Sequence, residues 1–505
     1  MKRLFVALTI ALVGAALPGG GRASETRIVV LHTSDYHSHA LPHYAEGEFG
    51  RGGLARVVRF LRDQRAADGN TVVLSGGDTM NLGTPAWSDK YQCAEWPLFN
   101  GLQDAMAFGN HELDYGWQAF EACRAAVDYP VVSASFVGQD GDPVLPPWVV
   151  LERGGIRLGL FALAGGDFEQ IVKPADRPPG AHFADPLAIS WEVVRHLRED
   201  ERVNAVLLIG HRSYEEDQAL ARAVPGIDLI LGTHSHRRED LARIEGTDTF
   251  YLEPGQYFEY VSRVELGFVD GKLAGVTGGL VRMDGSLPED PEVAALVARM
   301  QADLEADPTY APRFERLGQA AVELSTANIN SGESVLGNFV VDSVRAAAGA
   351  HAALSTASSF RATIPPGDIT VEDYLTALPY KNLILVHELN GAQLQGLLDL
   401  SAQRRGSDAF SQVSGVRFAI REGRATDVRV LRDPANPAAG FAALDPGATY
   451  QVATTDFQAR IAAGYSDLFK AAANVRDSGL VVNDLMMAKI RAESPVRAEL
   501  DGRIR

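Results

Sequence analysis

The sequence predicts an α/β chain organised as two domains. Its 505 residues exceed what one ordinary hydrophobic core organises. In the first half, short β-rich apolar runs bounded by glycine alternate with amphipathic helical stretches. That alternation builds a sheet flanked by helices. Five of the runs also end in a residue able to ligate a metal, and in such sheets ligands gather where strand C-termini open.

The elements follow in order. Lys2 and Arg3 precede an apolar run from Leu4 to Leu17, and Gly21-Arg22-Ala23 offers a small-x-small cleavage site. This reads as a secretory signal over 1–23, with Ser24 the first mature residue; an uncleaved anchor is the alternative. No Cys follows the run and no second apolar stretch spans a membrane, so no stable membrane anchor is expected and the location is periplasmic or secreted.

Ile28–Leu31 leads to Asp35 and His37. Thr71–Leu74 leads to Asp78, and Ala105–Phe108 leads to Asn110 and His111. Ala205–Ile209 leads to His211, and Ile227–Leu231 leads to His234 and His236. Val131–Ala134 and Leu158–Ala162 read as further strands, and Val269-Asp270-Gly271-Lys272 as a hairpin turn. Leu54 to Arg65, Pro186 to Arg198 and Tyr214 to Ala223 carry helical periodicity, as does Asp290 to Asp303. Further on, Ser334 to Ala348 and Gly391 to Gln403 read as helices. Thr370 caps another through Leu378, and Asn382–Leu389, Val416–Ile420, Val428–Leu431 and Tyr450–Thr454 read as strands.

Composition narrows the function. The net charge is −18 and the pI about 5.1, which excludes a general nucleic-acid polymer surface, since that needs a basic face. A small phosphorylated substrate remains compatible, because bound cations reverse the local field. The cysteines are Cys93 and Cys123. They could pair over the Asn110–Asp114 stretch or stand as separate buried thiols. With so few thiols, a metal site must use His, Asp and Asn.

Asp35, His37, Asp78, Asn110, His211, His234 and His236 supply that set. Two divalent ions need about four protein ligands each with one carboxylate shared, and Asp78 is the natural bridge. Imidazole, carboxylate and amide oxygen together suit zinc, manganese or cobalt better than calcium. Such a pair activates a bridging water and clamps a phosphoryl oxygen.

Leu31-His32-Thr33-Ser34-Asp35-Tyr36-His37, Gly77-Asp78, Gly109-Asn110-His111-Glu112, Gly210-His211 and Gly232-Thr233-His234-Ser235-His236 stand in that order. They resemble the motif blocks of the calcineurin-like metallophosphoesterase superfamily. His111 followed by Asp114, with a signal and a C-terminal domain, resembles its secreted 5′-nucleotidase family. The resemblance implies a four-layer α/β/β/α sandwich over 24–288 and a linker helix or hinge over 289–325. A C-terminal α/β substrate-binding domain would occupy 326–505. It implies Asp35, His37, Asp78 and His236 around one ion, and Asp78, Asn110, His211 and His234 around the other. His111 would donate to phosphate, Asp114 would orient it, and Glu112 would be structural.

In the second domain the resemblance implies that Arg361, Tyr380, Asn382, Phe457 and Asp467 bind substrate, with the two rings flanking a base. Two departures stand out: Ser358-Ser359-Phe360 replaces Gly-Gly-Ile before Arg361, and Thr326 to Glu333 contains no Arg. The implied function is a 5′-nucleotidase that releases phosphate from nucleotides by attack of a hydroxide held between the metals. The alternatives are a hydrolase of cyclic nucleotides, nucleotide sugars or a sulfur compound, and a binding protein without turnover.

Overall fold

A computed structural model describes residues 24–505; the signal segment expected over 1–23 lies outside the described residues. The first half contains two six-stranded sheets. One runs in the order Lys272–Arg282, Tyr260–Val269, Glu25–Thr33, Thr71–Ser75, Ala105–Ala107 and Val131–Val132. The other runs Arg238–Arg243, Phe250–Pro254, Leu229–His234, Ala205–Arg212, Ile156–Ala164 and Trp148–Arg153. The central strands of each are parallel.

Alternation along these strands sorts side chains to two faces. Ile28, Val30, Val72 and Leu74 meet Leu158, Leu160, Leu207 and Ile209 between the sheets. Val29, Leu31 and Val73 face outward onto the helix Leu54–Ala67, which buries Leu54, Val57, Val58 and Leu61. The spacing of those four residues keeps them on one helical stripe. On the far side Phe161, Val206 and Leu208 pack beneath Val193, Val194 and Leu197 of the helix Pro186–Glu199 and Leu220 of Tyr214–Ala223. The layers are therefore helix, sheet, sheet, helix, as expected. Val131–Val132 is shorter than the run suggested, and the strand expected at Ile227 begins two residues later, at Leu229.

The helix Pro291–Ala306, capped by Asp290, buries Val293, Val297 and Leu304 in the same core as Leu54 and Leu61. This part of the span read as a linker helix and hinge thus packs within the first domain. The strand Arg316–Ala320 already pairs with Gly367–Thr370 of the second.

The second domain is a five-stranded sheet ordered Ser411–Ser414, Ala352–Thr356, Thr449–Thr455, Leu383–Asn390 and Asn474–Val481. The helix Val335–Ala348 covers one face through Leu336, Val340 and Val344. It starts at Ser334, whose hydroxyl caps Gly337 N, and stops at Gly349, whose φ of 62° few other residues adopt. The helix Gly391–Gln403 covers the other face with Leu394, Leu397 and Leu398. The two halves meet through Arg313 and Glu372, whose ion pair measures 2.6 Å, and through Tyr257, whose hydroxyl donates to the Arg361 carbonyl at 3.3 Å. Among the described residues no helix is long and apolar enough to cross a membrane.

Candidate active site

The parallel strands of both sheets release their ligands at one edge. Thr33 pairs with Ser75 and Ser75 with Met106 in the first sheet. Asp35 and His37, Asp78, and Asn110 therefore leave three adjacent strand ends together. In the second sheet His211 and His234 end neighbouring strands, with a register shift at His211/Arg212. Asp35, His37, Asp78, His234 and His236 all have positive φ, between 46° and 69°. Each such non-glycine residue costs about 1–3 kcal/mol and persists only where the surroundings impose it. Gly109 is a glycine of necessity: a Cβ there would collide with the Asp78 carboxylate and the His211 ring.

The side chains form overlapping clusters. Asp35, His37 and His236 bring one donor atom each within 4.8 Å of one another, and so do Asp78, His211 and His234. A third group of His37, Asp78 and His111 joins them, sharing His37 with the first and Asp78 with the second. His37 Nε2 lies 3.0 Å from His236 Nε2, and His211 Nε2 lies 3.1 Å from Asp78 Oδ2. The outer ring nitrogens are spent on backbone: His37 Nδ1 on the Met80 carbonyl and His211 Nδ1 on the Gly76 carbonyl. This fixes the tautomer that turns the Nε2 lone pair inward. Asn110 Oδ1 is buried with no hydrogen-bond partner among the described residues. Burial also holds the His37 imidazole well below its usual pKa, which keeps it unprotonated. Inward lone pairs, buried carboxylates and an orphaned amide oxygen fit divalent cations.

Buried carboxylates brace the loops. Glu112 accepts from Asp78 N (2.9 Å), Thr79 N (2.8 Å), Thr79 Oγ1 (2.8 Å) and Gly109 N (2.7 Å). It therefore ties the Asp78 loop to the Asn110 loop, the structural role expected for it. Glu253 does the same for the His234–His236 turn, accepting from Ser235 Oγ at 2.8 Å and Arg237 N at 3.0 Å. Burial pushes the Glu253 pKa up to about 8.

His111 sits beside Asp78, whose Oδ1 accepts its backbone N–H at 2.9 Å. Its Nδ1 lies 2.7 Å from Asp114 Oδ2. Burial opposes a charge on the ring, but the carboxylates of Asp114 and Asp78 outweigh it and push the pKa up to about 9. The structure therefore pairs His111 with Asp114 at the edge of the cluster.

A cavity of about 300 Å³ opens over this cluster and is walled by both domains. Asp78, Asn110, His111 and His234 line it from the first domain, and Arg361, Tyr380, Asn382 and Phe457 from the second. Asp467 is not among its lining residues: it lies on the helix Tyr465–Lys470, largely exposed and paired with Lys470 at 3.0 Å. Cys93 and Cys123 form a disulfide, which settles the open question of their pairing.

Several residues in and around the site escaped sequence reasoning. Asp167 reaches His234 Nε2 at 3.3 Å. It follows Gly165-Gly166 at the end of the strand Ile156–Ala164, so the rule that strand ends carry ligands reaches it too. Asp408 and Ser358 also line the cavity. Tyr257 stacks on His39 with ring centroids 3.6 Å apart and donates its N–H to the Asp35 carbonyl. Its residue type is not that of a metal ligand, and no sequence signal marked it. His43 turns away to Glu259, at 3.2 Å.

Comparison with known proteins agrees with this geometry. Residues 28–238 match the model of the calcineurin-like phosphoesterases, and residues 316–471 match that of the 5′-nucleotidase C-terminal domain. The trifunctional nucleotide phosphoesterase protein YfkN of Bacillus subtilis is 26% identical over 95% of this chain, which spans only 35% of that relative's length. The structure of a 5′-nucleotidase precursor from Thermus thermophilus superposes with a TM-score of 0.78 at 28% identity, covering 95% of this chain and 99% of that one. The sulfate thiohydrolase SoxB of Thermus thermophilus superposes at 0.74 with 21% identity, over 97% and 98% of the two chains, a likeness of fold alone.

Proposed function

The chain belongs to the 5′-nucleotidase family of calcineurin-like phosphoesterases, and on that premise we propose that it is an exported, dimetal 5′-nucleotidase releasing phosphate from nucleoside monophosphates. The observation that carries this reading is the single cavity joining the His/Asp cluster to Arg361, Tyr380 and Phe457. Asp35, His37, Asp78 and His236 would hold one ion, and Asp78, Asn110, His211 and His234 the other. When bound, zinc, manganese or cobalt would supply water activation and charge neutralisation at phosphorus.

The chain's own groups do the rest. Protonated His111 donates from Nε2 to a phosphate oxygen as charge builds there, and Asp114 keeps that ring oriented and charged. Arg361 adds a planar guanidinium at the phosphate end. Tyr380 and Phe457 offer aromatic faces to a base, and Asn382 offers an amide to its edge or to the ribose. The signal-like 1–23 stretch and the Cys93–Cys123 disulfide support an oxidising compartment outside the cytoplasm.

A second reading has an observation of its own. Thr326 to Glu333 lacks Arg, and Asp167 and Asp408 line the cavity, where Arg361 is the one guanidinium. That charge balance suits a substrate with less anionic charge, such as a cyclic nucleotide or a sulfur compound. Rates on AMP, a cyclic nucleotide, a nucleotide sugar and a thiosulfate derivative, each with manganese, zinc and cobalt, separate the two. Highest kcat/KM on AMP supports the nucleotidase; negligible AMP turnover beside rapid turnover of another class refutes it.

A further inference from the structure

A cavity of about 560 Å³ lies in the second domain and shares no lining residue with the metal cleft. It opens between the helix Val335–Ala348, the strands Ser411–Ser414 and Val416–Arg421, and the segment 489–503. Its size falls in the range of small-molecule sites. Phe339, Leu431 and Phe441 give it apolar walls, and Arg417 lies over the Phe441 ring at 4.9 Å.

Its charges are unevenly spent. Arg503 donates to both Asp342 oxygens, at 2.8 and 3.1 Å, and to Asp501 Oδ1 at 2.8 Å. Arg417 takes the other Asp501 oxygen at 3.1 Å, and Lys489 pairs with Glu493 at 2.7 Å. Arg345 spends only Nε, on Ser414 Oγ at 2.9 Å. Among the described residues its two terminal nitrogens have no partner, nor does any nitrogen of the Arg497 side chain. Against these two guanidiniums stands one carboxylate without an ion-pair partner among the described residues, Glu499. Arg345 is half-buried; burial and nearby Arg503 depress its pKa from the usual guanidinium value, although Asp342 opposes them. An anion seated there would relieve that repulsion, and a planar fork binds a phosphate, sulfonate or carboxylate with two parallel hydrogen bonds.

We propose that this cavity is a second ligand site, distinct from the metal cleft, for an organic anion bearing a flat ring. The anionic group is held by Arg345 and Arg497, and the ring lies against the Phe339 and Phe441 wall. The site stands independently of the phosphoester reading, since it uses none of the same residues.

The test probe is 1-naphthalenesulfonate, which carries no phosphoester to hydrolyse, titrated into the full described chain by fluorescence and equilibrium dialysis. One saturable equivalent is expected. Affinity should fall about tenfold in Arg345→Gln and again in Arg497→Gln, the loss of one charge-assisted contact, and should weaken with added salt. Arg361→Gln, in the metal cleft, should leave it unchanged. Arg497 is exposed, so its variant keeps the fold even where Arg345→Gln does not; unfolding midpoints check both. Absence of saturable binding, parent-like affinity in both cavity variants, or loss of binding in Arg361→Gln overturns the proposal.

Discussion

His37 Nε2 stands 3.0 Å from His236 Nε2, although their strands end on different sheets. His37 spends its other nitrogen on the Met80 carbonyl, so its inner nitrogen offers a lone pair to whatever sits between them. A cation held there would link the two sheets at their open edge. His236→Ala should bind one fewer tight equivalent of manganese by elemental analysis. At manganese a hundredfold above the dissociation constant, the parent protein should gain about 2.7 kcal/mol of stability from each site, and the variant half of the total. Equal metal content in the two proteins would remove His236 from the centre.

Glu112 should matter for folding more than for chemistry. It accepts four hydrogen bonds from the Asp78 and Asn110 loops and touches no cavity surface. Glu112→Ala leaves those donors buried and unpaired, at a cost of about 3 kcal/mol. Chemical denaturation should show the midpoint falling with little change in m-value. An unchanged midpoint would mean that the loops are held together by other contacts.

The His111–Asp114 pair sets a pH limit. The imidazole pKa lies at about 9 in the folded chain, against an ordinary value near 6.5. A raised folded-state value gives stability that is fully present below pH 6.5 and is lost as pH rises through about 9. Activity that needs the protonated ring follows the same direction, so kcat should decline on the alkaline side. In Asp114→Asn that decline should move to lower pH, because a carboxylate that raises the pKa is gone. A pH–rate profile with the same alkaline limb in both proteins would separate His111 from the proton the reaction uses.

Tyr380 and Phe457 should discriminate between substrates rather than drive chemistry. Tyr380→Ala should raise KM for AMP about tenfold, in line with the worth of one base–aromatic stack. It should leave hydrolysis of a small phosphomonoester without a base near the parent rate. An equal loss on both would place Tyr380 in the scaffold.

The metal half of the site was legible because parallel strands deliver their ligands in short contiguous motifs. Asp35 and His37, Asp78, Asn110 and His111, His211, and His234 and His236 each follow an apolar run within a few residues. The same logic reaches Asp167, which follows Ile156–Ala164 across Gly165-Gly166 just as Asp78 follows Thr71–Ser75 across Gly76-Gly77; no further motif singled it out. Substrate residues come from loops with no such periodicity. Arg361, Tyr380, Asn382 and Phe457 reach the cavity, whereas Asp467 lies on an exposed helical turn and pairs with Lys470. Asp408 enters the cavity through tertiary placement alone, and Tyr257 reaches the Asp35 loop the same way. The helix Pro291–Ala306 was legible as a helix, but its apolar stripe did not reveal which domain it packs against.

Phosphate release from AMP by the purified protein, before and after chelation and after manganese is restored, tests the central claim most directly. Turnover should vanish with the chelator, return with manganese, and be absent in Asp78→Ala, because Asp78 groups with His211 and His234 on one side and with His37 on the other. Chelator-resistant turnover, or full activity in Asp78→Ala, would contradict a reaction run at this cluster.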